Sequence, residues 1–245
     1  MGQRASLFLV TDPHAAESLL RQAEEEDGYL ATCANSPANA MARRNYRVST
    51  VLPRMPSLRL PRRLQMPVPI VVLDPSSDGG MPHSRPHMVC ISHVEHLTQE
   101  TMTHELWHVH QRLYQAEWTS HFRAIGWKPY TGEIPAALER HRRLNPDTID
   151  APFWMFEDTW VPLPLFRDVV SPRLTETDVW FYHVREGHRT KEVPPALLHM
   201  FPALPTAAYE HPRELTAYTL AAPDRYAGTP GFDRLIAKLG KDAIV

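Results

Sequence analysis

Cysteine is nearly absent: Cys33 and Cys90 are the only two in 245 residues. Two cysteines cannot build a disulfide framework, and two free, buried thiols are the expected state. Long apolar runs are missing as well. No stretch reaches the ~20 residues of a membrane-spanning helix, and no charged start followed by an apolar segment reads as a signal peptide. A cytoplasmic location follows as the expectation. Net charge is small, with 26 Lys and Arg against 28 Asp and Glu, so neither nucleic acid nor an anionic membrane is expected as a partner. The one basic cluster, "RHRR" at 140–143, reads as a solvated helix face. The start, "MGQRAS", matches the N-myristoylation pattern at Gly2 with Ser6 in place. That pattern is short, and an ordinary N-terminus is the expectation. Glycine is scarce, at 10 residues, while proline reaches 24, roughly twice the usual 5%. Many rigid, irregular connections are expected, because proline fixes φ and removes a donor.

What is present is an ordinary globular composition, 43% hydrophobic and 22% charged, on a chain long enough for a substantial core. No repeat or linker divides it, so one domain over 1–245 is expected, of α+β class. Strands are predicted at 6–10, 69–74, 87–92 and 179–184. Helices are predicted at 12–27, 96–118, 134–144, 211–221 and 231–240. The first has Asp12 as its cap and Pro13 in its first turn. Residues 34–66 read as irregular, and 150–206 as loops around the strand at 179–184. The aromatic residues of 150–184, among them Phe153, Trp154, Phe156, Trp160, Trp180 and Phe181, read as a core cluster rather than a cleft wall.

The stretch that carries chemistry is "THELWHVHQR" (103–112). It lies inside a long helical segment with Met102, Leu106, Val109 and Leu113 as its apolar stripe. Residues four apart share a helix face, so His104 and His108 can each present a ring nitrogen to one ion. Imidazole suits zinc, Zn2+. Glu105 stands one residue round from the ligand pair, where a general base takes a proton from a water whose pKa the ion has lowered to about 7. The third ligand must come from elsewhere. The extension H-E-x-x-H-x-x-G-x-x-H fails, because Gln111 and Tyr114 occupy the Gly and His positions, and His110 points to another face. The best candidate is Glu214 in "YEHPRELTAY" (209–218), in the first turn of a predicted helix beside the inward Leu215 and Ala217. An inward carboxylate needs a partner, and an ion supplies one. Glu210, Glu157 and Asp158 are the alternatives. Glu117 lies too far along the motif helix to share the ion.

"HELWHVHQR" followed by "EHPRELTAY" resembles the zincin metallopeptidases of the gluzincin kind, over these two helices. The resemblance implies a zincin-like fold, with a small sheet packed on the active-site helix. It implies His104, His108 and Glu214 as zinc ligands, Glu105 as base, and a peptide or protein as substrate. Zincins commonly hold the oxyanion with a Tyr or His, and Tyr182, His183, Tyr209 and Tyr218 are candidates. Two other readings remain open at this point: a structural or degenerate zinc site on a binding module, and a hydrolase of non-peptide amides or esters. The sequence sets no oligomeric state.

Overall fold

The computed structural model describes residues 7–43, 45–240 and 243. Gly2 and Ser6, which carry the myristoylation pattern, lie outside them. In chain order the elements are β1 (Phe8–Leu9), α1 (Pro13–Asp27), α2 (Tyr29–Ala34), α3 (Pro37–Ala42), β2 (Pro69–Val72), β3 (His83–Arg85), β4 (Met88–Ile91), α4 (Gln99–Leu113), α5 (Gln115–Ala124) and β5 (Trp127–Tyr130). Then follow α6 (Ala136–Glu139), β6 (Phe153–Phe156), β7 (Trp160–Phe166), β8 (Thr177–His183), β9 (Arg189–Thr190), α7 (Pro195–Met200), α8 (Pro212–Ala221), α9 (Pro223–Tyr226) and α10 (Pro230–Leu239). The architecture is mixed α+β with two small sheets. No helix among the described residues is long and apolar enough to cross a membrane.

The first sheet has the order β1-β2-β4-β3, with β1, β2 and β4 parallel and β3 antiparallel at the edge. Its central strands are buried on both faces, as parallel strands usually are. Ile70, Val72, Val89 and Ile91 point into the large core, with Met102, Leu106 and Val109 of α4. Val71, Leu73, Met88 and Cys90 point the other way, under Ala16 and Ala23 of α1. The α1 helix starts as expected: the Asp12 side chain accepts the His14 N–H at 3.0 Å, and Gly28 ends it at φ 58°. Cys33 and Cys90 are both free and buried.

The second sheet, β5-β6-β7-β8-β9, is antiparallel throughout. It corrects the reading of 150–206 as loops around one strand. Prolines 162 and 164 hid β7. The Phe166 N–H reaches the His141 carbonyl at 2.9 Å, on the side away from β8. By strand alternation Pro162 and Pro164 share that side, so their missing donors cost no ladder bond with β8. Trp154, Phe156 and Phe181 of this sheet join the large core, and none of the aromatics singled out in 150–184 lines the cavity described below.

Three further expectations change. The helix at 134–144 shrinks to α6, because residues 141–143 pair with β7 instead: the Arg143 N–H donates to Pro164 O at 2.8 Å, and Arg142 bridges Leu165. Arg143 is buried, so "RHRR" is not a solvated helix face. The helix at 96–118 breaks at Tyr114 (φ −120°, ψ 44°), and Leu113 is exposed rather than part of the apolar stripe. A straight helix would carry Trp118 about 12 Å along the axis from His110. The break folds α5 back, and the Trp118 indole donates to His110 Nδ1 at 2.9 Å. The described residues of 35–66 are irregular except for α3, a bridge from Val48 to Leu73 and a 3-10 turn at Arg62–Leu64.

Candidate metal centre

The α4 helix enters the core with Thr98 as its cap, the side chain accepting the Thr101 N–H at 3.1 Å. Its buried face carries Glu105, His108 and Gln111, while His104 keeps 14% side-chain exposure at the cavity edge. The α8 helix packs directly against it. Gln111 fixes the pair: its Nε2 donates to Arg213 O at 3.1 Å and to Thr216 Oγ1 at 3.0 Å, and its Oε1 lies 2.9 Å from His108 Nδ1. That last bond assigns an N–H to Nδ1 and leaves Nε2 of His108 facing Glu214 of α8.

The result is a triangle of donor atoms. His104 Nε2 and His108 Nε2 are 3.0 Å apart, and Glu214 Oε2 stands 3.4 Å from the first and 3.5 Å from the second. Charge-assisted hydrogen bonds pull such atoms to about 2.7–2.9 Å. A tetrahedral zinc with bonds of about 2.0–2.1 Å spaces its ligands at about 3.3 Å. The two longer edges match the ion and exceed the hydrogen bond. These residues therefore fit zinc. Burial pushes the Glu214 carboxyl up, but His108 and His104 outweigh it and hold it well below the usual carboxylate range.

Glu105 lies beside this triangle. It is 2% exposed, and its Oε2 has no hydrogen-bond partner among the described residues. Burial, then the carboxylates of Asp147 and Glu214, push its carboxyl well above the ordinary value. A cavity of about 360 Å3 opens on His104, Glu105, Glu214 and Tyr218. The Tyr218 ring meets His104 edge-on at 4.5 Å between centroids. Of the four oxyanion candidates it is the one that lines the cavity. The Tyr209 hydroxyl is spent on Phe201 O, and Tyr182 and His183 sit on β8. Among the alternative ligands, Glu157 and Asp158 occupy the exposed β6–β7 turn, where Asp158 pairs with Lys128, and Glu117 pairs with Arg63 and His121. Glu210 is buried next to the site but bonds Arg143 and Asn145 instead.

No family model, curated protein or solved structure matches this chain.

Several residues of the site were not singled out from sequence. Asn145 Nδ2 donates to Glu214 Oε1 at 2.8 Å and to Glu210 Oε1 at 2.6 Å. Its Oδ1 caps the 3-10 turn Pro146–Thr148 by accepting the Asp147 N–H at 3.0 Å. That turn sets Asp147 against the edge strand β3, where Asp147 Oδ1 accepts both N–H and O–H of Ser84 at 2.7 Å. Gln111 had a usable signal, since it lies three residues past His108 on the same helix face. Asn145 and Asp147 had none, because "NP" reads only as a helix stop.

The entry to α8 adds a pH dependence. His211 caps the helix: its Nδ1 accepts the Arg213 N–H at 3.1 Å, and its Nε2 faces Pro152 O at 3.4 Å. Accepting at Nδ1 requires a neutral ring. Burial, then the Arg213 charge, drive its pKa down to about 3. The unfolded chain protonates at about 6.5 and the folded one does not until about 3, so this contribution is complete above pH 6.5 and is lost as pH falls from there. His211→Asn keeps a capping oxygen that does not titrate. In urea melts of metal-free protein, the variant should lose about 2–3 kcal/mol less stability than wild type between pH 6.5 and pH 4.5. Equal losses would show that the ring titrates normally in the fold.

Proposed function

We propose that the protein is a zinc-dependent hydrolase of the zincin type, cleaving a peptide bond. The observation that carries this reading is the triangle of His104, His108 and Glu214 donor atoms, with edges of 3.0–3.5 Å, beside the buried Glu105 carboxylate. A bound zinc ion supplies Lewis acidity, lowering the pKa of a water toward 7 and polarising a carbonyl. The chain supplies the rest. His108, fixed by Gln111, would hold the ion together with His104 and with Glu214, which Asn145 orients through the other carboxylate oxygen. A carboxylate oxygen of Glu105 would take a proton from the attacking water as the water oxygen bonds the carbonyl carbon, and would return it to the amine nitrogen as the C–N bond breaks. Tyr218 places a phenol beside His104. The two buried free thiols fit a reducing compartment and a cytoplasmic location. Glu105→Gln tests the reading: zinc retained with hydrolysis lost supports it, and hydrolysis retained contradicts it.

A further inference from the structure

The metal cavity is lined by charged side chains of both signs. Glu105, Asp147 and Glu214 gather at the metal side. The same cavity is lined by Arg43, Asp78, His83, Arg143 and Glu210. Here three basic side chains face two carboxylates. Asp78 is shared by Arg43, at 3.1 Å, and His83, at 3.6 Å, while Glu210 pairs with Arg143. Burial opposes a charge on His83, but the Cys90 sulfur and the Asp78 carboxylate outweigh it and raise its pKa to about 9.

The two arginines differ in how fully they are used. Arg43 spends its guanidinium on Tyr29, Asn39, Leu144 O and Asp78. Arg143 is 8% exposed and has one side-chain partner among the described residues, Glu210, through Nη2. Its Nε is buried with none. A guanidinium keeps its charge and has five donors in a planar fork that matches a carboxylate. Leaving most of that fork unused in a buried wall is costly. Arg143 is also linked to the metal side: Glu210 accepts from both Arg143 and Asn145, and Asn145 donates to Glu214.

We infer that Arg143 is a substrate-binding residue that receives a carboxylate, so the preferred substrate carries a free carboxylate close to its scissile amide. This inference rests on the hydrolase reading and names the substrate class for the same site. The cavity of about 360 Å3 holds a small terminal fragment, in the range of small-ligand pockets. The β3 edge beside it is closed by Asp147 on the Ser84 N–H, so a long strand cannot extend there. A peptide C-terminus and an acidic side chain offer the same chemistry, and the test separates them.

Three probes are titrated calorimetrically into zinc-loaded Glu105→Gln protein, which removes turnover from the measurement. They are an N-acetyl dipeptide with a free C-terminus, its C-terminal amide, and an amidated dipeptide with Glu as its last residue. One of the two carboxylate probes should bind about ten- to hundredfold tighter than the neutral amide, the range of a hydrogen bond to a charged group. Tighter binding of the first assigns a chain terminus, and of the third an acidic side chain. Arg143→Gln should erase the preference without changing affinity for the amide. Because Arg143→Gln strands Glu210 in a buried wall, Arg143→Gln/Glu210→Gln is the companion variant, and it should erase the preference in a folded, zinc-binding protein. Equal binding of all three probes, or a preference that survives the double substitution, overturns the inference. Repeating the titration on metal-free wild type separates the two claims. Absence of zinc binding defeats the hydrolase reading, whereas a carboxylate preference in that protein leaves the Arg143 assignment standing.

Discussion

Glu105→Gln is expected to lower kcat at least about 10²–10⁴-fold, the range that a positioned acid–base group contributes. Zinc content should stay at the wild-type level. The glutamine is nearly isosteric, and the three donor atoms of His104, His108 and Glu214 are untouched. A carboxamide cannot take up a proton at neutral pH, so the step assigned to Glu105 is lost and the site's shape is kept. Stability should not fall. Glu105 is buried, and its carboxyl is pushed well above its ordinary value by that burial and by Asp147. Replacing it with a neutral group removes the cost that burial places on its ionised form. Turnover, metal content and melting temperature on one preparation check all three statements. A variant that hydrolyses as fast as wild type would remove Glu105 from the chemistry. A wild type that binds zinc but hydrolyses nothing would favour a structural site on a binding module.

Glu214→Ala and His104→Ala are expected to weaken zinc binding by more than the 10–100-fold that loss of an outer-shell partner costs. Each removes one corner of the triangle. Glu214→Ala does more, because it also leaves the Asn145 amide without one of its two carboxylate partners and takes away the charge facing His104 and His108. Competition against a chromophoric chelator gives the two constants. Unchanged affinity in Glu214→Ala would take the third ligand away from α8.

The parts of the site that were legible in the sequence are those that depend on one helix at a time. His104, His108 and Glu105 follow from helical periodicity, and Glu214 follows from an acidic residue beside inward apolar neighbours in a first turn. The structure brings His104, His108 and Glu214 within 3.5 Å. What was illegible depends on where a segment finds its backbone partners. Residues 141–143 have helix-forming side chains, yet their backbone bonds to β7. That choice buries Arg143 and delivers Asn145 and Asp147 to the cavity. The second sheet was hidden for a related reason: proline argues against a central strand, and only the bonding direction shows that Pro162 and Pro164 face an edge. The break at Tyr114 accompanies the bond from Trp118 to His110, a contact that helix propensity does not encode.

The central claim is that one ion is held by two imidazoles of α4 and one carboxylate of α8. X-ray absorption at the zinc edge on the purified, zinc-loaded wild type tests it most directly. The account predicts one zinc per chain, bound by two imidazole nitrogens at about 2.0–2.1 Å and by oxygen at about 2.0–2.2 Å, with the carboxylate contribution lost in Glu214→Ala. A spectrum without imidazole scattering, or one that Glu214→Ala leaves unaltered, would contradict it.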